Sequence, residues 1–138
     1  MDRAKLVENL TIIGAVALFV VIGVASWIVL AVLEAPKPAD VTVKVIARQF
    51  AWQFEYPDGT VSGELRVKAG QTVKLELYSE DVIHSIYFRD FGLKKDVVAG
   101  KVNVLYITPL VPGQYLIQCT EFCGQGHYSM LAWMVVEQ

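Results

Sequence analysis

Cys119, Cys123, His127 and Met130 fall within twelve residues, in the order Cys-x3-Cys-x3-His-x2-Met. Thiolate, imidazole and thioether together form a ligand set that suits copper. His84 supplies a fifth soft or borderline donor from earlier in the chain. A mononuclear blue-copper site takes two histidines, one cysteine and a weak axial methionine. This chain has one thiolate more than that. Two thiolates can bridge two coppers, each completed by one imidazole, and that arrangement uses every soft ligand of the loop. Such a centre suits electron transfer. A rigid site on a β-scaffold changes shape little when its charge changes. Sharing one electron over two metals dilutes the bond-length change further, and weak axial ligands tune the potential. Gly124 and Gly126 let the loop fold tightly around metal.

Plainer readings compete. Cys119 and Cys123 are the two cysteines of the chain, and in an exported domain a disulfide is the ordinary expectation. A Cys119–Cys123 bridge leaves His84 and His127 unexplained. A structural zinc site with two cysteines and two histidines fits the ligand count, but leaves Met130 unexplained. Met130 alone reads as core more readily than as ligand. Its place three residues after His127 is what raises it.

The loop must be held by something, and its surroundings read as strands. Val41, Val43 and Val45 alternate with polar residues in VTVKVIARQF, with one slip at Ile46. Tyr56-Pro57-Asp58-Gly59 is a turn in which proline presets one angle and Gly59 accepts a positive one. Glu64–Val67 is short and strand-like. Ala69-Gly70 turns the chain into TVKLELYS, which alternates over Val73, Leu75 and Leu77. HSIYF opens another strand at His84. Further strands are expected over Lys101–Thr108, in QYLIQC after the Pro112-Gly113 turn, and in LAWMVVE. Roughly seven short strands separated by Gly/Pro turns predict a mainly β domain over residues 36–138, a sandwich or Greek-key barrel. About one hundred residues suffice for a real core.

Residues 1–35 are different. Between Glu8 and Glu34 run 25 residues without a charge. A bilayer core needs about 20 apolar helical residues, so this stretch predicts an N-terminal transmembrane anchor. It is longer than the apolar core of a signal peptide, about 7–15 residues. The chain's mean hydropathy of +0.44 has its source here. Arg3 and Lys5 precede the span, and Glu34 comes before Lys37 after it. The positive-inside rule then keeps the N-terminus in the cytoplasm and residues from about Pro36 on the outer side. Residues 35–138 carry ten Lys/Arg against eleven Asp/Glu. That near-neutrality argues against nucleic acid as a partner and against long-range steering of a charged one.

With these residues in place, the chain resembles subunit II of the haem-copper cytochrome c oxidases, which carry a binuclear copper centre, CuA, in a cupredoxin domain. Three stretches carry the resemblance: Ser79-Glu-Asp-Val-Ile-His84-Ser, Gly92-Leu-Lys-Lys-Asp96 followed by Gly100, and Pro112-Gly-Gln-Tyr-Leu-Ile-Gln-Cys119 with the loop to Met130. The resemblance implies that Cys119 and Cys123 bridge two coppers. It implies that His84 and Met130 complete one copper, and His127 and the Glu121 carbonyl the other. It also implies a magnesium ion that the Glu121 carboxylate can bind at the junction with subunit I, against a solvated or salt-bridged carboxylate as the plainer reading. Asp96 resembles an aspartate near that junction. Cytochrome c as donor and the haem-bearing subunit I as acceptor follow from the same resemblance, and the span with its flanking charges predicts a single pass through the cell (inner) membrane with the copper domain on the outer, periplasmic side. Oxygen reduction and proton pumping would belong to subunit I.

Two features depart from the family pattern. There is room for one membrane span where many members have two, as in the shorter B-family subunits. The donor-facing motif reads Gln49-Phe50-Ala51-Trp52-Gln53-Phe54-Glu55-Tyr56, so Phe50 stands where a tryptophan is usual and Ala51 replaces another aromatic. Phe50 is expected either in an apolar docking patch or packed inward, and Trp52 in the core. Three other classes are weighed. The copper domain of nitrous oxide reductase needs a further large catalytic domain. A quinol-oxidase subunit II lacks the copper ligands. A membrane-anchored metallochaperone or zinc domain would differ in metal content.

Overall fold

The computed structural model describes residues 2–138. The chain divides between Lys37 and Pro38 into two compact units.

The first unit is one helix, α1 (Arg3–Glu34). Asp2 caps it: its carboxylate accepts from the Ala4 amide at 3.2 Å, satisfying one orphan donor of the first turn. At 1.5 Å per residue its 32 residues span about 48 Å, more than the ~30 Å of a bilayer core. It stops where Pro36 forces the preceding residue out of helical geometry, and Ala35 is extended (φ −57°, ψ 137°). No residue of the helix is buried. Its length and composition are those of a membrane-crossing segment.

The second unit is built from ten strands: β1 (Val41–Arg48), β2 (Ala51–Glu55), β3 (Val61–Ser62), β4 (Leu65–Lys68), β5 (Val73–Ser79), β6 (His84–Phe88), β7 (Leu93–Val97), β8 (Asn103–Ile107), β9 (Gly113–Cys119) and β10 (Leu131–Glu137). They form two five-stranded sheets, in the orders β3-β2-β1-β5-β8 and β4-β10-β9-β6-β7. β1 runs parallel to β5 and β10 parallel to β4; the other pairs are antiparallel. The apolar alternation seen in the sequence sets which face goes inward. Val43, Val45, Phe54, Leu75 and Leu77 from the first sheet share one core with Ile86, Phe88, Ile117 and Met134 from the second. A fully buried side chain of this kind stabilises the fold by about 1.5–3 kcal/mol.

The Tyr56–Gly59 turn forms as expected. Gly59 takes φ +85° and its amide donates to the Tyr56 carbonyl at 2.9 Å. Two expectations are refined. The first strand ends at Arg48 rather than Phe50, and the chain bends over Gln49-Phe50 and returns as β2. β2, β3 and β7 bring the strand count above the expected seven. β3 has two residues, too short for a period to show.

Candidate metal centre

The second sheet brings the sequence-predicted donors to one end of the sandwich. His84 opens β6, Cys119 closes β9, and Met130 directly precedes β10. The loop between β9 and β10 is closed at its base by the Cys119 amide donating to the Met130 carbonyl at 3.1 Å. Within it a single 3-10 turn, His127–Ser129, carries His127. Gly124 sits at φ +137°, outside the range that other residues adopt comfortably.

Both cysteines are free and their sulfurs stand 3.9 Å apart, nearly twice the ~2.05 Å of a disulfide. His84 Nδ1 lies 3.9 Å from Cys119 Sγ, and His127 Nδ1 lies 3.5 Å from Cys123 Sγ. Met130 Sδ is 3.8 Å from Cys123 Sγ. The Glu121 carbonyl accepts from the Cys119 thiol at 3.3 Å, so it faces the sulfurs. The metal-binding atoms of His84, Cys119 and Cys123 all lie within 4.8 Å of one another. His127 joins them through Cys123. All six candidate residues therefore meet, with one imidazole at each thiol.

The donor set fits soft metal ions. A metal–thiolate bond is about 2.3 Å, so a single ion can touch both sulfurs across 3.9 Å. Burial pushes the Cys123 thiol up from 9.0 to about 11, with the neighbouring Cys119 adding to the effect. Two thiolates in this place need a cation beside them. His84, Cys119, Cys123 and Met130 are buried, which limits ligand exchange with water.

Three residues support the site that the sequence pattern had not singled out for a role. Asp81 accepts from His84 Nε2 at 2.7 Å, leaving Nδ1 to face the sulfurs. The Asp81 carboxyl lies below its ordinary value. Burial alone would raise it, and hydrogen bonds from His84, the Gln49 amide and the Val82 amide outweigh that. Gln49 donates its side-chain amide to the Cys123 carbonyl. Trp52 is buried, as expected, and sets its edge against His84 with ring centroids 6.2 Å apart. Asp81 lies three residues before His84, a spacing that carries meaning only once the turn between them is known.

Phe50 is neither fully inward nor free. Its ring lies over Gly124 and Gly126, and a Cβ at Gly126 would run into it. It remains 36% exposed. Phe122, 77% exposed, tilts against His127 at 5.8 Å between ring centroids, and Tyr128 is 83% exposed. The Glu121 carboxylate meets Lys94. Lys94 Nζ holds it at 3.3 Å and Asp96 at 3.4 Å. Within this chain the two carboxylates thus share one ammonium.

The comparisons with known proteins agree with this picture. Residues 60–138 match the family model of the cytochrome C oxidase subunit II periplasmic domain. Cytochrome c oxidase subunit 2 of Thermostichus vulcanus is 41% identical over 101 residues, covering 72% of this chain and 31% of that protein. The same subunit of a Synechocystis strain is 40% identical over 94 residues, 67% of this chain and 28% of that protein. The matched stretches thus span about a third of the length of these curated relatives. Among solved structures, the periplasmic domain of subunit II (CoxB) of Bradyrhizobium japonicum aligns with a TM-score of 0.69 at 26% identity, covering 74% of this chain and 87% of that one. Auracyanin B shares the fold, with a TM-score of 0.55 at 19% identity, 75% of this chain and 94% of that one.

The second unit is therefore a cupredoxin-like domain with a copper-type ligand set. The chain belongs to the cytochrome c oxidase subunit II family, with an N-terminal apolar helix fitting a membrane-anchored subunit.

Proposed function

We propose that this chain is the electron-accepting subunit of a respiratory haem-copper oxidase. It receives electrons from a cytochrome c at a binuclear copper centre and passes them to haem in subunit I, where oxygen is reduced and protons are translocated. The anchor crosses the inner membrane once, N-terminus in the cytoplasm, with the cupredoxin domain on the outer side. The convergence of four further donors on two free, buried thiols carries this reading.

When bound, a copper pair supplies a one-electron couple of low reorganisation cost. Cys119, Cys123, His84 and His127 would hold it, with one imidazole beside each thiol. Met130 and the Glu121 carbonyl, which face the sulfurs, would add two weak, unequal donors that tune its potential. Asp81 fixes the tautomer and tilt of His84. Phe50, Phe122 and Tyr128 give the donor an apolar landing surface at the metal end. The Glu121 carboxylate, which meets Lys94 through one oxygen, would offer a magnesium ion a ligand at the junction with subunit I.

The test is metal content and spin. The full chain in detergent, loaded with copper, is expected to hold two coppers and turn purple. Its electron spin resonance should show one unpaired electron shared by both metals. One zinc per chain, or no colour with copper, would overturn the proposal in favour of a structural or carrier domain.

A further inference from the structure

Gln49 lies in the bend between β1 and β2, two strands of the sheet opposite the one that carries the metal-binding residues. It nevertheless reaches both halves of the centre. Its backbone amide donates to Asp81 Oδ2 at 2.7 Å, and the other oxygen of that carboxylate accepts from His84 Nε2 at 2.7 Å. Its side-chain amide donates to the carbonyl of Cys123. Cys123 is the residue whose thiol meets Cys119, His127 and Met130. The Gln49 amide lies so close on the loop that a Cβ at Gly124 would stand 2.8 Å from Nε2.

The chemistry of the side chain matters here. A carbonyl only accepts, so the NH2 end of the Gln49 amide must face Cys123. Glutamate of the same shape would set an acceptor against an acceptor. Alanine would leave the carbonyl without this donor.

We propose that Gln49 is a positioning residue of the metal centre. It is a clamp whose backbone arm steadies the His84 end through Asp81 and whose side-chain arm steadies the Cys123–His127 end. Acting on both, it fixes the spacing of the two imidazoles and the freedom of the loop between them. The inference rests on the copper reading above, and its test separates the two.

The full chain in detergent is prepared as wild type, Gln49→Glu and Gln49→Ala, each loaded with copper and also studied metal-free. Outer partners of metal ligands are worth about 10–100-fold in metal affinity. Both variants are therefore expected to release copper(I) to a chelator about tenfold faster or more, with a broadened hyperfine pattern and a shifted potential. A lowered melting temperature with unchanged spectrum, potential and copper release would overturn the clamp and leave Gln49 a merely structural residue. If the wild type itself gives no shared-spin signal, the copper reading fails, and the clamp is then judged on the metal-free chain. There the amides of His127 and Ser129, which donate within the loop to Gly124 and Gly126, should exchange about fivefold faster in Gln49→Ala, the factor of one ordinary hydrogen bond. The β1–β5 amides should be unaffected. Unchanged exchange in the loop would overturn the clamp.

Discussion

Removing the Asp81 carboxylate should loosen copper by a factor that the structure lets us work out. His84 is fully buried, and the Asp81 carboxylate is the acceptor that its Nε2–H holds in the folded chain. A hydrogen bond to a charged group is worth about 1.5–3 kcal/mol, and each 1.4 kcal/mol is about tenfold. Asp81→Ala should therefore weaken copper(I) binding by about 10–100-fold. Asp81→Asn keeps an acceptor but loses the charge, and a neutral bond is about half as strong. It should lose only about 3–10-fold. Competition against a chromophoric copper(I) chelator reads both, with circular dichroism of the metal-free chains to check folding. The pH dependence has a definite sign. The Asp81 pKa is depressed in the folded chain, so its contribution is complete above the ordinary 3.8 and is lost as pH falls through the lower folded value. The stability of the metal-free wild type should hold down to that range and weaken below it, and this step should vanish in Asp81→Ala. A folded Asp81→Ala that binds copper within about threefold of wild type would refute the reasoning.

Three further outcomes are expected. Cys119→Ser or Cys123→Ser should abolish the shared-spin spectrum, while Met130→Leu keeps it in part and shifts the potential, read by electron spin resonance and voltammetry. The metal-free chain should lose stability as pH rises from 9.0 toward about 11, because the folded state holds the Cys123 proton longer than the unfolded one; thermal melts of wild type and Cys123→Ser compare this. Gly126→Ala should cost about 1–3 kcal/mol by driving a methyl group into Phe50, with Phe50→Ala on the same chain restoring part of it.

Much of this was legible in the sequence because ligand chemistry is local. Cys119, Cys123, His127 and Met130 share one loop, so their spacing alone suggested a common metal, and strand alternation over β1 and β5 pointed to the scaffold. The supporting contacts were not legible in that way. Gln49 and Cys123 are far apart in sequence and meet only because the two sheets close on each other. The bend that ends β1 at Arg48 lies inside an apolar-rich run where period-2 alternation continues on either side, so it gave no signal. Ile46 broke the alternation yet is buried as well. The two readings of Phe50 were posed as alternatives, and the structure combines them: one part of the ring lies on glycines, the rest in solvent.

The division of labour between the sheets bears on assembly. Every donor to the centre comes from the second sheet or its loops, but the side chains that steady them, Gln49 and Trp52, come from the first or the bend between its strands. The site is complete only when the sandwich has shut. A chain with its sheets apart holds the ligands without their support, and it should bind metal less tightly than the native state. Metal uptake and folding are then linked by mass action, since whatever binds the closed state better stabilises it. Metal binding would thus favour chains whose two sheets have closed on each other.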